Sequence, residues 1–288
     1  MREGGIVRVI VTGAGGFIGR HLLRYLEGSS FDIHEVSRSR GYDLSVPGWT
    51  QALPSDVDVV IHLAQSKRYR DFPEQSADIY DVNVSAMMEL LEWSRRSQVK
   101  KFIYTSSGSV YSSNTRDPLS ERAPLAPSHF YGATKAAAEL LLSAYQPFFK
   151  TQILRLFTVY GPGQRAMLIS NMIDRVRSQE PIYLARDGGF VFSAIYVLDC
   201  VRLLTRFIEE DSPFPVLNIA SDERYTLEEV VDFIAHRLSV TPNLERVERD
   251  PGYSLADISQ LSSLNYIDRF VSREEGLAAC LSGDLRSL

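Results

Sequence analysis

The chain has 288 residues, a formal net charge of −5 and 44% hydrophobic residues, enough for one large domain or for an ordinary domain with a smaller one. The charge is mildly acidic and no long basic run occurs, which argues against nucleic acid and membrane surfaces as partners. No apolar run reaches the roughly 18 residues that span a bilayer, and Ile6–Val11 is too short for a signal peptide, so a cytoplasmic location is expected. The cysteines, Cys200 and Cys280, lack metal-site spacing, so we interpret them as free thiols and expect no bound metal.

Short β-branched runs alternate with amphipathic stretches through the first half of the chain. Strands are predicted at Val7–Val11, Phe31–Val36, Val57–Leu63, Lys101–Thr105 and Gln152–Phe157, and helices at Gly16–Glu27, Asp81–Ser97 and Tyr131–Tyr145. This βαβ alternation predicts an α/β fold, a Rossmann-type doubly wound parallel sheet covered on both faces.

The pattern loosens after about Gly161. Helices are predicted at Met167–Arg177, Asp199–Ile208 and Thr226–Leu238, with Thr226 as the N-cap, and a strand at Ser193–Val197. We therefore expect a nucleotide-binding domain over residues 1–160 and a smaller α/β substrate-binding domain over 161–288. The chain is expected to cross back between them, for example around 193–208.

A glycine-rich turn follows the first strand and opens the first helix. Gly13, Gly16 and Gly19 have the spacing of a loop in which the backbone approaches a pyrophosphate closely, while the helix N-terminus at Phe17 and Ile18 presents free N–H groups. A glycine motif alone is weak evidence for a nucleotide site, but its position between a strand and a helix predicts that it binds a dinucleotide.

The end of the second strand bears on the choice between NAD and NADP. An acidic residue there would bind the ribose hydroxyls, whereas a basic one would accommodate a 2′-phosphate. If Ser37 fills the usual acidic position, the acid is missing and Arg38 could pair with the phosphate, which favours NADP, with NAD as the alternative. Arg38 and Arg40 could also be ordinary solvated charges. Further on, Asp43 and Leu44 could contact the adenine edge.

A tyrosine and a lysine with YxxxK spacing predict acid/base chemistry. Tyr131 and Lys135 lie on one face of the predicted helix, and a nearby ammonium would lower the pKa of the phenol from its usual value of about 10. Ser106 and Ser107 end the fourth strand, where a serine hydroxyl could hold a substrate oxygen. We therefore predict Ser107, Tyr131 and Lys135 as the catalytic residues.

The sequence resembles the extended short-chain dehydrogenase/reductases, specifically the NAD(P)-dependent epimerase/dehydratase group that acts on nucleotide sugars. The resemblance covers most of the chain and rests on Val11–Gly19, Asp43-Leu44, His62-Leu63-Ala64, Asn83-Val84, Tyr104–Tyr111, Tyr131–Lys135, Leu154–Arg165, Tyr196–Asp199, Asn218–Ala220 and Asp257–Ser259. It implies the same three catalytic residues. It also implies that Leu63, Ala64 and Lys67 lie near the cofactor and that Asn83 supports the catalytic helix.

Some positions depart from the family pattern. Gly108 and Ser109 follow Ser107 where the family's dehydratases have an Asp-Glu pair, which argues against 4,6-dehydration. Thr158 replaces a usual Asn, and Phe192 replaces the usual diphosphate-binding Arg. We expect Ser107, Thr158 and Arg165 to contact the substrate, with Arg165 or Arg186 compensating for the missing arginine.

The resemblance implies a nucleotide-sugar epimerase that transfers a hydride at sugar C4 through a transient keto sugar. An NADPH-dependent 4-ketoreductase of a nucleotide-linked sugar stays open because of Ser37 and Arg38, as does a non-catalytic NADP-sensing regulator. In the family, the helices predicted at Asp81–Ser97 and Tyr131–Tyr145 often form a homodimer interface. Their apolar content fits either a homodimer or ordinary core burial.

Overall fold

The structure is a computed structural model that describes residues 6–112 and 115–283. The chain divides into two compact units. The first comprises residues 6–112, 122–155 and 201–217, and the second comprises 115–121, 156–200 and 218–283. The chain thus passes between the units several times; the sequence predicted a boundary near residue 160 together with a crossing back, for example around 193–208.

The elements alternate along the chain as expected. The strands are β1 (Val7–Thr12), β2 (Phe31–Val36), β3 (Val59–His62), β4 (Lys101–Ser107), β5 (Lys150–Leu156), β6 (Thr158–Tyr160), β7 (Ile182–Leu184), β8 (Val191–Tyr196), β9 (Val216–Ile219), β10 (Arg224–Thr226), β11 (Leu244–Arg246) and β12 (Tyr253–Ser254). The α-helices are α1 (Phe17–Tyr25), α2 (Ser76–Tyr80), α3 (Ala86–Arg96), α4 (Phe130–Ser143), α5 (Leu168–Ser178), α6 (Val197–Glu209), α7 (Leu227–Leu238), α8 (Ser259–Ser263) and α9 (Arg273–Ser282).

The first unit is built on a six-stranded sheet in the order β2-β1-β3-β4-β5-β9. Strand β1 pairs in parallel with β2 and β3, and β3 pairs in parallel with β4. The strand order reverses at β1, and in open α/β sheets ligands bind outside the carboxyl ends of the strands at such a point. The α/β doubly wound fold predicted from the sequence is confirmed.

One face of this sheet packs against α3 and α4. Val60, Phe102 and Tyr104 from the strands form one cluster with Met87 of α3 and Leu142 of α4, all fully buried. Burial of one such large apolar side chain contributes about 1.5–3 kcal/mol. This packing fixes α4, which carries the predicted catalytic pair, against the carboxyl half of β4.

The predicted helix at Asp81–Ser97 differs from the structure. Helical backbone begins earlier, at Ser76, and passes through a π-helical turn at Asp81–Ser85 before α3 begins. A π turn adds a residue to the helical repeat, so apolar spacing does not follow one 3.6-residue period across it. Within α3, Met87 is fully buried whereas Met88 is 42% exposed.

The second unit contains smaller sheets and short helices. Strand β8 pairs in parallel with β6 and β12 and antiparallel with β10, and β7 pairs in parallel with β11. Helix α7 begins with Thr226 as its N-cap in a capping box with Glu229, as the Thr-Glu pattern predicted. The strands β6, β7, β10, β11 and β12 were not predicted, because at 2–3 residues each they show no periodicity. Within the described residues no helix is long and apolar enough to cross a membrane.

Candidate active site

The glycine turn between β1 and α1 has no room for a side chain at Gly13 or Gly19. Gly13 has a φ of +71°, and a Cβ there would lie 2.8 Å from the backbone nitrogen of Ala64. A Cβ on Gly19 would overlap the carbonyl oxygen of Gly13. Helix α1 begins at Phe17 without a side-chain cap from Gly16, which leaves its first N–H groups available to a ligand. This turn therefore fits the pyrophosphate of a dinucleotide.

The end of β2 carries a hydroxyl and a basic side chain. The hydroxyls of Ser37 and Ser39 lie 3.0 Å apart. The Arg38 guanidinium is half exposed and lies 3.7 Å from a carboxylate oxygen of Asp43 and 3.9 Å from one of Asp78. Arg40 instead pairs with Glu35 through two hydrogen bonds of 3.1 and 3.2 Å. Of these two arginines, Arg38 is thus the one without a bidentate carboxylate partner.

Other predicted cofactor residues line the same strand ends. The backbone N–H groups of Leu63 and Ala64 donate to the Thr12 carbonyl and hydroxyl at 3.2 and 3.3 Å. Lys67, three residues after Ala64, is exposed. The Leu44 side chain belongs to the apolar core, so its backbone is the part available to an adenine.

Helix α4 presents Tyr131 at its first turn. The ring of His129 caps this helix by accepting a hydrogen bond of 3.1 Å from the Gly132 N–H. The Tyr131 hydroxyl donates to the side-chain oxygen of Gln65 at 2.9 Å, and its ring centroid lies 4.9 Å from that of Tyr69. Burial raises the pKa of Tyr131 above its usual value, and a hydrogen bond with the Ser107 side chain acts in the opposite direction.

Lys135 is buried one turn further along α4. Its Nζ donates to the Thr105 carbonyl oxygen at 2.6 Å and lies 4.4 Å from the centroid of the Tyr104 ring. Burial lowers the pKa of Lys135 to about 7, and the Glu139 carboxylate opposes that shift. The ammonium is therefore anchored to the end of β4, the strand that ends in Ser107.

Ser107 ends β4 and begins a short 3₁₀ turn. Its hydroxyl accepts a hydrogen bond of 3.1 Å from the Ser109 N–H. The structure thus brings the hydroxyl of Ser107, the phenol of Tyr131 and the ammonium of Lys135 to one end of the sheet. This arrangement can hold an alcohol oxygen and move its proton.

Asn83 lies in the π-helical turn and connects two parts of the site. Its side-chain oxygen accepts from the Ser66 N–H at 2.9 Å, and its side-chain nitrogen donates to the Thr134 hydroxyl at 3.0 Å. The Thr134 hydroxyl in turn donates to the Tyr131 carbonyl at 2.8 Å. Asn83 therefore supports the first turn of α4 and the loop after β3.

His62 is buried at the end of β3. Its Nδ1 lies 2.7 Å from the Thr12 hydroxyl, and its ring stacks on Tyr104 at a centroid distance of 5.6 Å. Burial, with a smaller contribution from the Lys135 charge, lowers the pKa of His62 to about 3. The ring is therefore neutral at physiological pH and packs as part of the interior.

The predicted substrate residues Thr158 and Arg165 belong to the second unit. Thr158 begins β6 and pairs with Ala194 of β8, and Arg165 is exposed. The Arg186 Nε donates to Glu248 at 3.0 Å. Phe192 is fully buried, stacks on Phe190 and packs against the tilted ring of Tyr225, with both centroid distances 5.4 Å, so this position belongs to an aromatic core. In the described chain no group of three His, Cys, Asp or Glu residues could hold a metal ion.

Two features of the site were not predicted from the sequence. The side-chain oxygen of Gln65 accepts a hydrogen bond from the Tyr131 hydroxyl, and the position of Gln65 directly after Ala64 was the available signal. A buried ion pair between Glu139 and Arg155 lies behind the catalytic helix. No local spacing indicated this pair, because its members lie on different elements.

The chain is similar to nucleotide-sugar epimerases over most of its length. The family model described as "NAD dependent epimerase/dehydratase family" matches residues 9–220. A protein of Bacillus subtilis (strain 168), an uncharacterized UDP-glucose epimerase named YtcB, is 28% identical over 303 residues, which cover 94% of this chain and 96% of that protein.

Solved structures show the same likeness. MoeE5 in complex with UDP-glucuronic acid and NAD superimposes with a TM-score of 0.84 at 30% identity, over 98% of this chain and 100% of that one. UDP-glucuronic acid 4-epimerase from Bacillus cereus, in complex with UDP-glucuronic acid and NAD, has a TM-score of 0.82 at 27% identity, over 96% of this chain and 98% of that one. The likeness therefore extends well beyond the glycine turn and the first unit.

Proposed function

Because the chain belongs to the NAD-dependent epimerase/dehydratase family, we propose that it inverts C4 of a UDP-linked sugar through a transient keto sugar. It is an NAD(P)-binding enzyme of the extended short-chain dehydrogenase/reductase type. The observation that carries the proposal is the meeting of Tyr131, Ser107 and Lys135 at the end of β4. UDP-glucose and UDP-glucuronic acid are the first substrates to test, because proteins similar to this chain are named for them.

Each of the three residues has a distinct role in this reaction. Tyr131 takes the proton from the C4 hydroxyl and returns it after the sugar has presented its other face. Ser107 orients that oxygen through its hydroxyl. Lys135 favours the phenolate by its charge, against the burial that raises the pKa of Tyr131.

The nicotinamide cofactor, when bound, supplies the site that accepts and returns the hydride. The residues that would hold it are Gly13, Gly16, Phe17, Ile18 and Gly19 at the turn, together with Ser37, Arg38, Asp43, Leu44, Leu63, Ala64, Lys67, Asn83, Tyr131 and Lys135. The first group would bind the pyrophosphate through backbone N–H groups at the start of α1, in a turn that is closely packed at Gly13 and Gly19.

The decisive experiment replaces Tyr131 by Phe and measures epimerisation of both sugar nucleotides by proton NMR. We expect kcat to fall by a factor of about 10²–10⁴, as for loss of a general acid/base, with the bound dinucleotide retained. Tyr183→Phe, an exposed tyrosine of the second unit, is the matched control and should keep full activity. An undiminished kcat in Tyr131→Phe would remove the acid/base role. If the wild type does not epimerise these sugar nucleotides and instead oxidises NADPH in the presence of a 4-keto sugar nucleotide, the protein is a 4-ketoreductase and not an epimerase.

We also propose that the protein binds NADP in preference to NAD. Support comes from Ser37 in place of an acid and from the half-exposed Arg38 beside it. A contact between Arg38 and a 2′-phosphate, worth about 1.5–3 kcal/mol, should make NADP⁺ bind roughly tenfold or more tighter than NAD⁺. Calorimetry should show this preference lost in Arg38→Ala and kept in Arg40→Ala. Equal affinities of the wild type for NADP⁺ and NAD⁺ would mean that Arg38 pairs with Asp43 and Asp78 and does not bind a 2′-phosphate.

We propose that Thr158 and Arg165 of the second unit bind the substrate, and that the first unit binds the cofactor. Arg165→Ala should then raise the KM for the sugar nucleotide at least several-fold without changing the Kd of the dinucleotide. Arg186→Ala is the comparison, because Arg186 already pairs with Glu248. A larger KM effect in Arg186→Ala would reassign the diphosphate contact to Arg186.

A homodimer is proposed from the exposed apolar residues of the first unit. Leu140 on α4 is 65% exposed and Met88 on α3 is 42% exposed. Contact with a second copy would remove these side chains from water. Light scattering should show a dimer in the wild type and a monomer in Leu140→Glu. A monomeric wild type at micromolar concentration would refute the dimer.

A further inference from the structure

A buried polar network lies behind the catalytic helix. The Arg155 guanidinium of β5 donates to the Glu139 carboxylate of α4, with an Nε–Oε1 distance of 3.0 Å and an Nη2–Oε2 distance of 2.7 Å. Its Nη1 donates to the Tyr111 hydroxyl at 2.7 Å, and the Ser106 hydroxyl donates to Glu139 at 2.5 Å. Glu139 is 3% exposed and Arg155 5% exposed.

A buried ion pair of this kind adds little net stability to the folded protein. Desolvating two charges costs several kcal/mol per ion, and apolar residues of similar volume often stabilise a protein as well or better. A buried ion pair with further hydrogen bonds does, however, restrict geometry, because each group must stay in place to satisfy its partners.

The network joins the segments that carry the three catalytic side chains. Ser106 precedes Ser107 at the end of β4. Glu139 lies one helical turn after Lys135 on α4, and two after Tyr131. Arg155 fixes the Glu139 carboxylate from β5, so that movement of α4 along the sheet would break the bidentate contact.

We propose that the Glu139–Arg155 pair, with Ser106, is a positioning device that keeps α4 in register with the end of β4, so that Lys135, Tyr131 and Ser107 stay aligned. The inference rests on the proposed epimerase function. Neither Glu139 nor Arg155 touches the reacting atoms; they act through Lys135 and Ser107.

The charge of Glu139 has a second consequence for Lys135. The groups that face the Lys135 ammonium are Tyr104 and the Thr105 carbonyl from β4, His62 from β3, and Tyr131 and Glu139 from its own helix. Arg155 on β5 neutralises part of the Glu139 charge. His62 is neutral, so Glu139 is the anion that raises the pKa of Lys135 against burial. Replacing Glu139 by Gln should lower the pKa of Lys135 further.

Lysine NMR tests this without any enzyme assay. The chain has only five lysines, Lys67, Lys100, Lys101, Lys135 and Lys150, so ¹³Cε labelling yields few signals, and Lys135→Arg assigns the one of interest. In Glu139→Gln we expect the Lys135 midpoint to fall by at least about half a pH unit. Glu92→Gln is the matched control, because Glu92 forms an exposed pair with Arg95 and Arg96 on α3. An unchanged Lys135 midpoint in Glu139→Gln would overturn the electrostatic part of the proposal.

Kinetics test the positioning part. In Glu139→Gln we expect kcat to fall at least tenfold with KM and dinucleotide Kd within twofold, and the alkaline limb of the pH profile to move to lower pH. Ser106→Ala keeps the ion pair and serves if Glu139→Gln does not fold; its kcat should fall several-fold with little change in Tm. A lower Tm with unchanged kcat and pH profile in both variants would mean that the network is only structural. An inactive wild type whose Lys135 midpoint still depends on Glu139 would refute the proposed function alone.

Discussion

Substitution of Asn83 by Ala removes two buried hydrogen bonds at once. Asn83 is 2% exposed. Its loss leaves the Ser66 N–H without the acceptor 2.9 Å away and the Thr134 hydroxyl without the donor 3.0 Å away. An unsatisfied buried N–H costs about 1–3 kcal/mol and a lost neutral hydrogen bond about 0.5–1.5 kcal/mol, so we expect the free energy of unfolding to fall by about 2–4 kcal/mol.

Urea denaturation of Asn83→Ala, Thr134→Val and the double variant measures this loss. Thr134→Val keeps the side-chain shape and removes the hydroxyl that also contacts the Tyr131 carbonyl at 2.8 Å. The double-mutant cycle should give a coupling energy of about 0.5–1.5 kcal/mol. Both single variants should also lower kcat, because the first turn of α4 loses support. A loss below about 0.5 kcal/mol in Asn83→Ala, or no coupling, would show that Asn83 does not link the π-helical turn to the catalytic helix.

Three further predictions concern single residues. Gly19→Ala should weaken dinucleotide binding at least tenfold in calorimetry, because the added Cβ would overlap the Gly13 carbonyl oxygen. Gly15→Ala is the control: the nearest contact of its Cβ is 3.6 Å, so its dinucleotide affinity should stay within about threefold of the wild type. Equal affinities of the two variants would contradict the close packing of the turn. Burial lowers the pKa of Lys135 to about 7, so unfolded chains bind this proton between pH 7 and 10.5. Wild-type stability should therefore rise with pH across that window, by up to about 1.4 kcal/mol per unit, and Lys135→Met should abolish that rise in urea titrations; a persistent slope would assign it to another group. The pKa of His62 is lowered to about 3, so the stability that its buried neutral ring contributes is fully present above pH 6.5 and is lost as the pH falls toward 3. His62→Gln should therefore reduce the loss of stability at acid pH. An unchanged loss of stability in this variant would refute His62 as its cause.

Much of the first unit follows from patterns only a few residues long. The β-branched runs, the glycine spacing and the Tyr131–Lys135 spacing predicted strands β1 to β5, the turn and the face of α4 that the structure shows, whereas β9 was not predicted. The Thr226–Glu229 capping box was visible in the same way. These features depend on backbone sterics and on helical or strand repeats, so a local stretch of sequence contains the information.

The sequence by itself determined the parallel sheet and the glycine turn, and it singled out Ser107, Tyr131 and Lys135 as the candidate catalytic residues. The tertiary structure decided which groups surround them. Gln65 meets Tyr131 across 66 positions, and Arg155 meets Glu139 from a different element. The π-helical turn around Asn83 and the aromatic stack that buries Phe192 were likewise decided by packing. Such contacts join residues that are distant along the chain, and their energies depend on burial, which exists only once the sheet and helices have assembled.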